Sequence, residues 1–309
     1  MNTQKMLGIM LVLSLLGCSH DDVQVTESHP PAVAASAMPQ AASSSGPAVA
    51  RALEARYADR RMNCGKDSMP AFLCSGIILR GTRPSTEYDA WNPSPTAVRV
   101  GGVSFSYLRS DYNFRRLAFT YNNGFILTPF LSAAPEKYHM QVLCFFPVDG
   151  ASDNRSDFGC GPNTVYPVES QPCDRQGITT GEQYRDHFNR RPDSYEWRCG
   201  FNVQDSANNA AGPAFYQGMR GGRMVAPYSF EIPNDLKHAV WPQNIPAQLP
   251  IEAFFYTQSG GRAGAQYDQK RFYELTRIPL PVISVQLPTV VTGTATFQYL
   301  PADQAITVP

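Results

Sequence analysis

Apolar residues fall in short runs along this chain, most of them bounded by Pro, Gly or Asn, which is the spacing of short strands. The pattern predicts strands over Phe72–Leu79, Val98–Tyr107, Gly124–Phe130, Met140–Phe146, Met224–Ile232, Ile251–Thr257, Tyr273–Arg277, Ile283–Leu287 and Thr292–Tyr299. Within the second of these, period-two alternation places Val103, Phe105 and Tyr107 on one face and Ser104 and Ser106 on the other. Helical spacing is rarer. Val49, Leu53 and Tyr57 stand four apart and predict a short helix with one apolar stripe. Phe114, Leu117, Ala118 and Tyr121, after Ser110 as N-cap and before Asn123-Gly124 as a stop, predict a second. Thr180-Gly181-Glu182-Gln183 reads as a capping box with Tyr184 and Phe188 one turn apart, and predicts a third. The class that results is α+β: a β-rich, mainly antiparallel single domain with a few short helices.

The first residues carry a different pattern. Lys5 precedes an apolar core from Leu7 to Leu16, too short for a transmembrane helix of about 20 residues and suited to a secretory signal. Leu15-Leu16-Gly17-Cys18 resembles a bacterial lipobox, which implies a lipoprotein signal peptide over 1–17, cleavage before Cys18 and acylation of its thiol by a palmitate-type chain. Ser19 rather than Asp follows, which by that resemblance favours the outer membrane. Residues 18–48 are rich in Ala, Ser and Pro without an aromatic side chain, as expected of a flexible tether between a lipid anchor and a folded body at 49–309. Membrane contact is then through the lipid at Cys18, on the periplasmic or the outer face, with later release to the medium also open.

An oxidising compartment changes the reading of the cysteines. Cys64, Cys74, Cys144, Cys160, Cys173 and Cys199 remain after Cys18, and an even number predicts three disulfides. The pairing expected is Cys64–Cys74 as a local clip, with Cys160–Cys173 and Cys144–Cys199. No CxxC pair is present, which disfavours zinc. Hydrophobic residues make up 43% of the chain and charged ones 17%, enough apolar material for a core. The formal net charge of zero gives no global field toward nucleic acid, and no nucleic-acid partner is expected.

Common catalytic signatures are absent: no GxSxG elbow, Walker loop, HExxH or dinucleotide-binding GxGxxG. The five histidines are scattered. Asp149, Asp153 and Asp157 recur every fourth residue in a Gly-rich, Asn-containing loop that could gather oxygens around calcium, or stay a solvated acidic turn held by Arg155 and Asx-turns. Arg80 follows the apolar run Ile77-Ile78-Leu79 and serves either as a strand-end cap or salt-bridge partner, or as an anion anchor.

"AFLCSGIILRGT", "WNPSPTAV", "GGVSFSYLR", "YNNGFIL" and "PVDGASDNRSDFGCGP", in this order across residues 57–235, resemble the halovibrin family of secreted bacterial proteins, described as NAD-dependent ADP-ribosyltransferases. The resemblance implies NAD as substrate, an arginine at a strand end, a Ser-x-Ser strand and a glutamate on a third strand. Arg80 matches the first position and Ser104-Phe105-Ser106 the second, both as NAD-binding residues. The Glu/Gln-x-Glu pattern of many such enzymes is missing, and Glu252 is the lone carboxylate that opens a strand, making it the catalytic candidate. The competing expectation is a non-catalytic envelope lipoprotein that binds a polymer or a protein partner through its aromatic residues.

Overall fold

Among the described residues, nine strands form one sheet with the order β5-β4-β6-β2-β1-β3-β7-β8-β9. They are β1 (Ile77–Thr82), β2 (Gly102–Leu108), β3 (Asn123–Leu127), β4 (Val142–Phe146), β5 (Phe201–Asn202), β6 (Asp235–Ala239), β7 (Ile251–Tyr256), β8 (Val282–Gln286) and β9 (Thr296–Tyr299). Among the same described residues, four α-helices accompany them: α1 (Gly46–Ala58), α2 (Pro95–Val100), α3 (Gly181–Phe188) and α4 (Arg262–Thr276). This computed structural model describes residues 45–61, 63–65, 70–83, 88–150, 154–167, 170–190, 198–203, 231 and 233–309. All of them belong to the unit Ala41–Pro309. The signal peptide, Cys18, the tether up to residue 44 and the strand expected over Met224–Ile232, apart from Glu231, lie outside the described residues. No described helix is long and apolar enough to cross a membrane.

Every strand pair is antiparallel except β7 with β8. A parallel pair needs a crossover connection, and α4 is that connection. The expected strand at Tyr273–Arg277 is therefore corrected: it is the last turn of α4 and its left-handed C-cap Arg277. The inward stripe of α4 is Ala265, Asp268, Gln269 and Phe272, so two of its four buried positions are polar and hide the helical period. Trp91 packs on Phe272 and Phe254, fastening the chain before α2 to this helix.

Residues of opposite strand parity feed two cores. Ile78, Val103, Phe105, Tyr107, Phe125, Leu127, Leu236 and Phe254 occupy one face. Ile77, Leu79, Leu108, Ile126, Ala253, Phe255, Ile283 and Val285 occupy the other, covered by Val49, Leu53 and Tyr57 of α1. Burying those three side chains contributes on the order of 2 kcal/mol each. The helix expected after Ser110 does not form. Instead Tyr112 N–H donates to the Arg109 carbonyl, Arg109 pairs with Asp111, and Phe114 and Leu117 reach the core from irregular backbone. The capping box at Thr180 is present, with both reciprocal bonds, and starts α3.

β2 begins later than expected because Ser94 caps α2, accepting from Ala97 N–H, and Pro95 opens the helix. Gly101, at φ 82°, ends it and turns the chain into β2. The disulfides are Cys64–Cys74, as expected, together with Cys144–Cys160 and Cys173–Cys199, which replace the other two expected pairs. Cys144 is fixed in the middle of β4 and clips the loop that follows it, while Cys173–Cys199 closes a satellite core with Tyr184, Phe188 and Phe201 around α3. Arg155 ties this loop together by donating to the carbonyls of Gly150, Gly161, Ser170 and Arg198, with its guanidinium 4.9 Å from the Phe146 ring centre.

His238 of β6 is fully buried against Phe105 and Phe130, and neither ring nitrogen has a hydrogen-bond partner among the described residues. Burial, aided by the nearby Arg80 charge, depresses its pKa from 6.5 to about 3. The unfolded chain therefore takes up this proton near pH 6.5 and the folded chain only near 3. Stability is full above that window and falls through it at about 1.4 kcal/mol per pH unit. Between pH 7 and 4.5, wild type should lose about 2–3 kcal/mol more than His238→Leu in denaturant titrations. Equal losses in the two proteins would contradict a buried neutral imidazole.

Candidate functional site

β1 and β2 pair over three residues only: Ile77 with Leu108, Ile78 with Tyr107 and Leu79 with Ser106. Beyond Leu79, β1 continues along β3 as far as Thr82, while β2 runs beside β6 from Phe105 back to Gly102. The sheet forks there. Arg80 thus sits inside β1, where that strand leaves β2, and not at the end of the strand. Its Nη1 donates to the Ser104 carbonyl at 2.9 Å, supplying the donor that a continued ladder would have brought.

A cavity of about 260 Å³ opens at the fork. Arg80 and Thr82 line it from β1, Ser104 and Ser106 from β2, and Asp235 from β6. Asp149 enters from the loop after β4, and Tyr88, Phe119 and Tyr121 add aromatic wall. Three of the sequence-derived candidates, Arg80, Ser104 and Ser106, are therefore brought together from separate strands. Alternation keeps Ser104 and Ser106 opposite in face to Phe105, and Phe105 itself lies 6.0 Å from the Arg80 guanidinium carbon.

Electrostatics at the fork are unusual for a sheet. Arg80 is held below its ordinary pKa by burial, opposed by Tyr121, Tyr88 and Asp235. Its Nε, the Thr82 hydroxyl and the Asn92 side-chain oxygen are out of solvent and lack hydrogen-bond partners among the described residues. Buried polar atoms are satisfied as a rule, and these three, on residues that line one cavity, are exceptions to it. Lys237 is fully buried, donates to Ser104 Oγ at 2.6 Å, and its Nζ lies 2.5 Å from Asp235 Oδ2. That contact is an ion pair by distance, but neither Asp235 oxygen gains a well-directed hydrogen bond among the described residues. Asn234 sets the position of Asp235: its amide accepts from Tyr107 N–H and donates to the Tyr107 carbonyl, both at 2.7 Å, imitating one more strand residue.

Glu252 stands elsewhere. β3 and β7 slip register between Ile126 and Leu127, which leaves Glu252 unpaired in the ladder and turned toward α1. There Arg56 grips both carboxylate oxygens, one at 3.1 Å. Burial raises the Glu252 pKa and Arg56 opposes the rise. Two strands, β1 and β3, separate β7 from β2, and Glu252 does not line the cavity. The structure thus places Glu252, the expected catalytic residue, in an ion pair with Arg56 apart from Arg80 and the serines, and among the described residues the acidic ones that line the cavity are Asp149 and Asp235.

The acidic loop is not gathered as a cluster among the described residues. Asp149 faces the cavity and its carbonyl accepts from Arg198, Asp157 stands in a short exposed turn, and Asp153 lies outside the described residues. No described group of three His, Cys, Asp or Glu side chains could hold a metal ion. Asp235 and Lys237 were not singled out from the sequence, since "DLKHA" alternates charge with apolar residues and looks like a solvated edge. The one signal was Pro233-Asn234 ahead of it, a turn before a strand.

Phe119 forms the cavity rim with backbone in the left-handed region (φ 53°), followed by Thr120 at φ 58°, and its ring is 74% exposed. A left-handed non-glycine residue costs roughly 1–2 kcal/mol. Phe119→Gly should therefore raise the melting temperature by about 2 °C, read by calorimetry. A fall of similar size would show that the ring packs for stability.

No family model matches the chain, and no curated protein matches it significantly.

Proposed function

We propose that this is an exported, lipid-anchored, halovibrin-like protein whose fork cavity binds NAD and breaks its nicotinamide–ribose bond, as an NAD glycohydrolase or ADP-ribosyltransferase. The observation that carries the reading is the convergence of Arg80, Ser104 and Ser106 on one cavity that Asp235 also lines. Anchoring rests on Cys18 within Leu15-Leu16-Gly17-Cys18.

The chemistry asks for such a set. As the C–N glycosidic bond breaks, its electron pair leaves with nicotinamide and positive charge builds on the ribose. A fixed carboxylate stabilises that charge and accepts from a ribose hydroxyl. Water, or a nucleophile on an acceptor protein, then bonds to the sugar carbon and gives up a proton. Asp235 takes the role that Glu252 cannot reach. The Arg80 guanidinium, with Nε unbonded, has a donor for a phosphate or ribose oxygen, and the Thr82 hydroxyl lies close by on the same strand. A volume of about 260 Å³ is near the lower bound for small-molecule pockets, enough to enclose the ribosyl end while the rest of a dinucleotide lies along the rim at Phe119 and Tyr88.

Asp235→Asn should lower NAD turnover at least about 100-fold, and Arg80→Ala should raise KM for NAD more than it lowers kcat. Glu252→Gln should keep kcat within about twofold, because its partner is Arg56. The assay is nicotinamide release, followed with and without added calcium. No release by wild type, or loss on Glu252→Gln with retention on Asp235→Asn, overturns the reading.

A further inference from the structure

We propose that Lys237 is a positioning residue of this site, acting on the reaction through Asp235 and Ser104 without touching the ligand; the proposal rests on the function proposed above. The register of β2 with β6 sets Lys237 opposite Ser104, so Asp235 and Lys237 share a sheet face with Ser104 and Ser106. Lys237 has no exposed surface, while Asp235, Ser104 and Ser106 line the cavity. Its ammonium therefore sits behind the cavity wall and makes its contacts there: Ser104 Oγ at 2.6 Å, Asp235 Oδ2 at 2.5 Å, and the Phe146 ring, whose centre is 5.9 Å away.

Stability gives little reason for a lysine at this place. Burying an ammonium is costly, and replacing a buried ion pair with apolar side chains of similar volume is often neutral or stabilising. What the ammonium does supply is specific. An opposite charge in contact favours the ionised form of a carboxylate, and Lys237 stands in that contact with Asp235. The same cation contacts Oδ2 and so fixes how the carboxylate is oriented. Donation by Nζ also fixes Ser104 Oγ as an acceptor on its rear side. Among the described residues, the charged groups that act on Asp235 are Lys237 from its own strand, Arg80 from β1 and Arg155 from the loop after β4, and Asp149 of that loop lines the same cavity. Of these, Lys237 is the one in ion-pair contact.

The test uses the full chain, NAD turnover, and the pH dependence of kcat for wild type, Lys237→Met, Lys237→Gln and Lys237→Arg. Lys237→Met leaves Asp235 buried without its cation, so it is expected to fold with a lowered melting temperature. Its KM should change less than threefold, its kcat should fall about 30-fold or more, and the acidic limb of its kcat profile should move at least one unit toward higher pH. Lys237→Arg should recover part of kcat and return the limb toward its wild-type position. If Lys237→Met fails to fold, Lys237→Gln, which keeps a donor to Ser104 without the charge, should show the same shifted limb. An unshifted limb in a folded neutral variant overturns the proposal, as does a chain that folds with neither neutral substitution, since Lys237 would then be a core residue only. Wild type without NAD turnover sinks the reading of the site and this role with it, whereas wild-type turnover matched by Lys237→Met sinks the role of Lys237 alone.

Discussion

The parting of β1 from β2 after three paired residues is the constraint on which the rest of this protein depends. A sheet that forks exposes main-chain groups to a gap, and each must find a partner or be solvated. Arg80 meets this need by reaching across to the Ser104 carbonyl, so the guanidinium serves as a bridge between two half-sheets that otherwise diverge. β2-β6-β4-β5 lies to one side and β1-β3-β7-β8-β9 to the other. The first half is pinned by Cys144–Cys160 and the Arg155 hub, and the second by α1 and the α4 crossover. With both halves fixed, the gap between them stays open.

That gap collects charge a closed sheet would exclude. β6 is buried along nearly its whole length and still carries Asp235, Lys237 and His238. The three are handled differently. His238 is neutral among aromatic rings, Lys237 is paired with Asp235, and Asp235 lines the cavity. Asn234 continues the strand by its side chain, which fixes the height of Asp235 relative to Ser106. Glu252 and Arg56, by contrast, pair with each other on the far side of β1 and β3, with both carboxylate oxygens engaged.

Much of this fold was legible in the residue pattern, for physical reasons. Strands with one clean apolar face, such as Val103-Phe105-Tyr107, announce themselves because alternation matches a half-buried sheet. The helix at Thr180 announces itself through its cap. What stayed hidden had polar residues in the core. β6 was missed because its buried positions include an acid, a lysine and a histidine. α4 was missed because Asp268 and Gln269 interrupt its inward stripe; burial holds Asp268 up near pH 7. The cysteine pairing was misread because sequence separation says nothing about where β4 places Cys144. Of the site, Arg80 and the two serines were visible as a strand pattern, but the carboxylate that joins them depends on a strand from 130 residues further along, and register between distant strands is a tertiary fact. The bulge that turns Glu252 away was equally invisible, since one slipped residue reverses the face.

If the fork is the ligand site, hydrogen exchange of the folded protein will change there when ADP-ribose is added. Slowed exchange confined to Leu79–Arg83, Gly102–Ser106 and Pro233–Lys237 is expected. Unchanged exchange at the fork with protection elsewhere, for instance near Arg56 and Glu252, would contradict it.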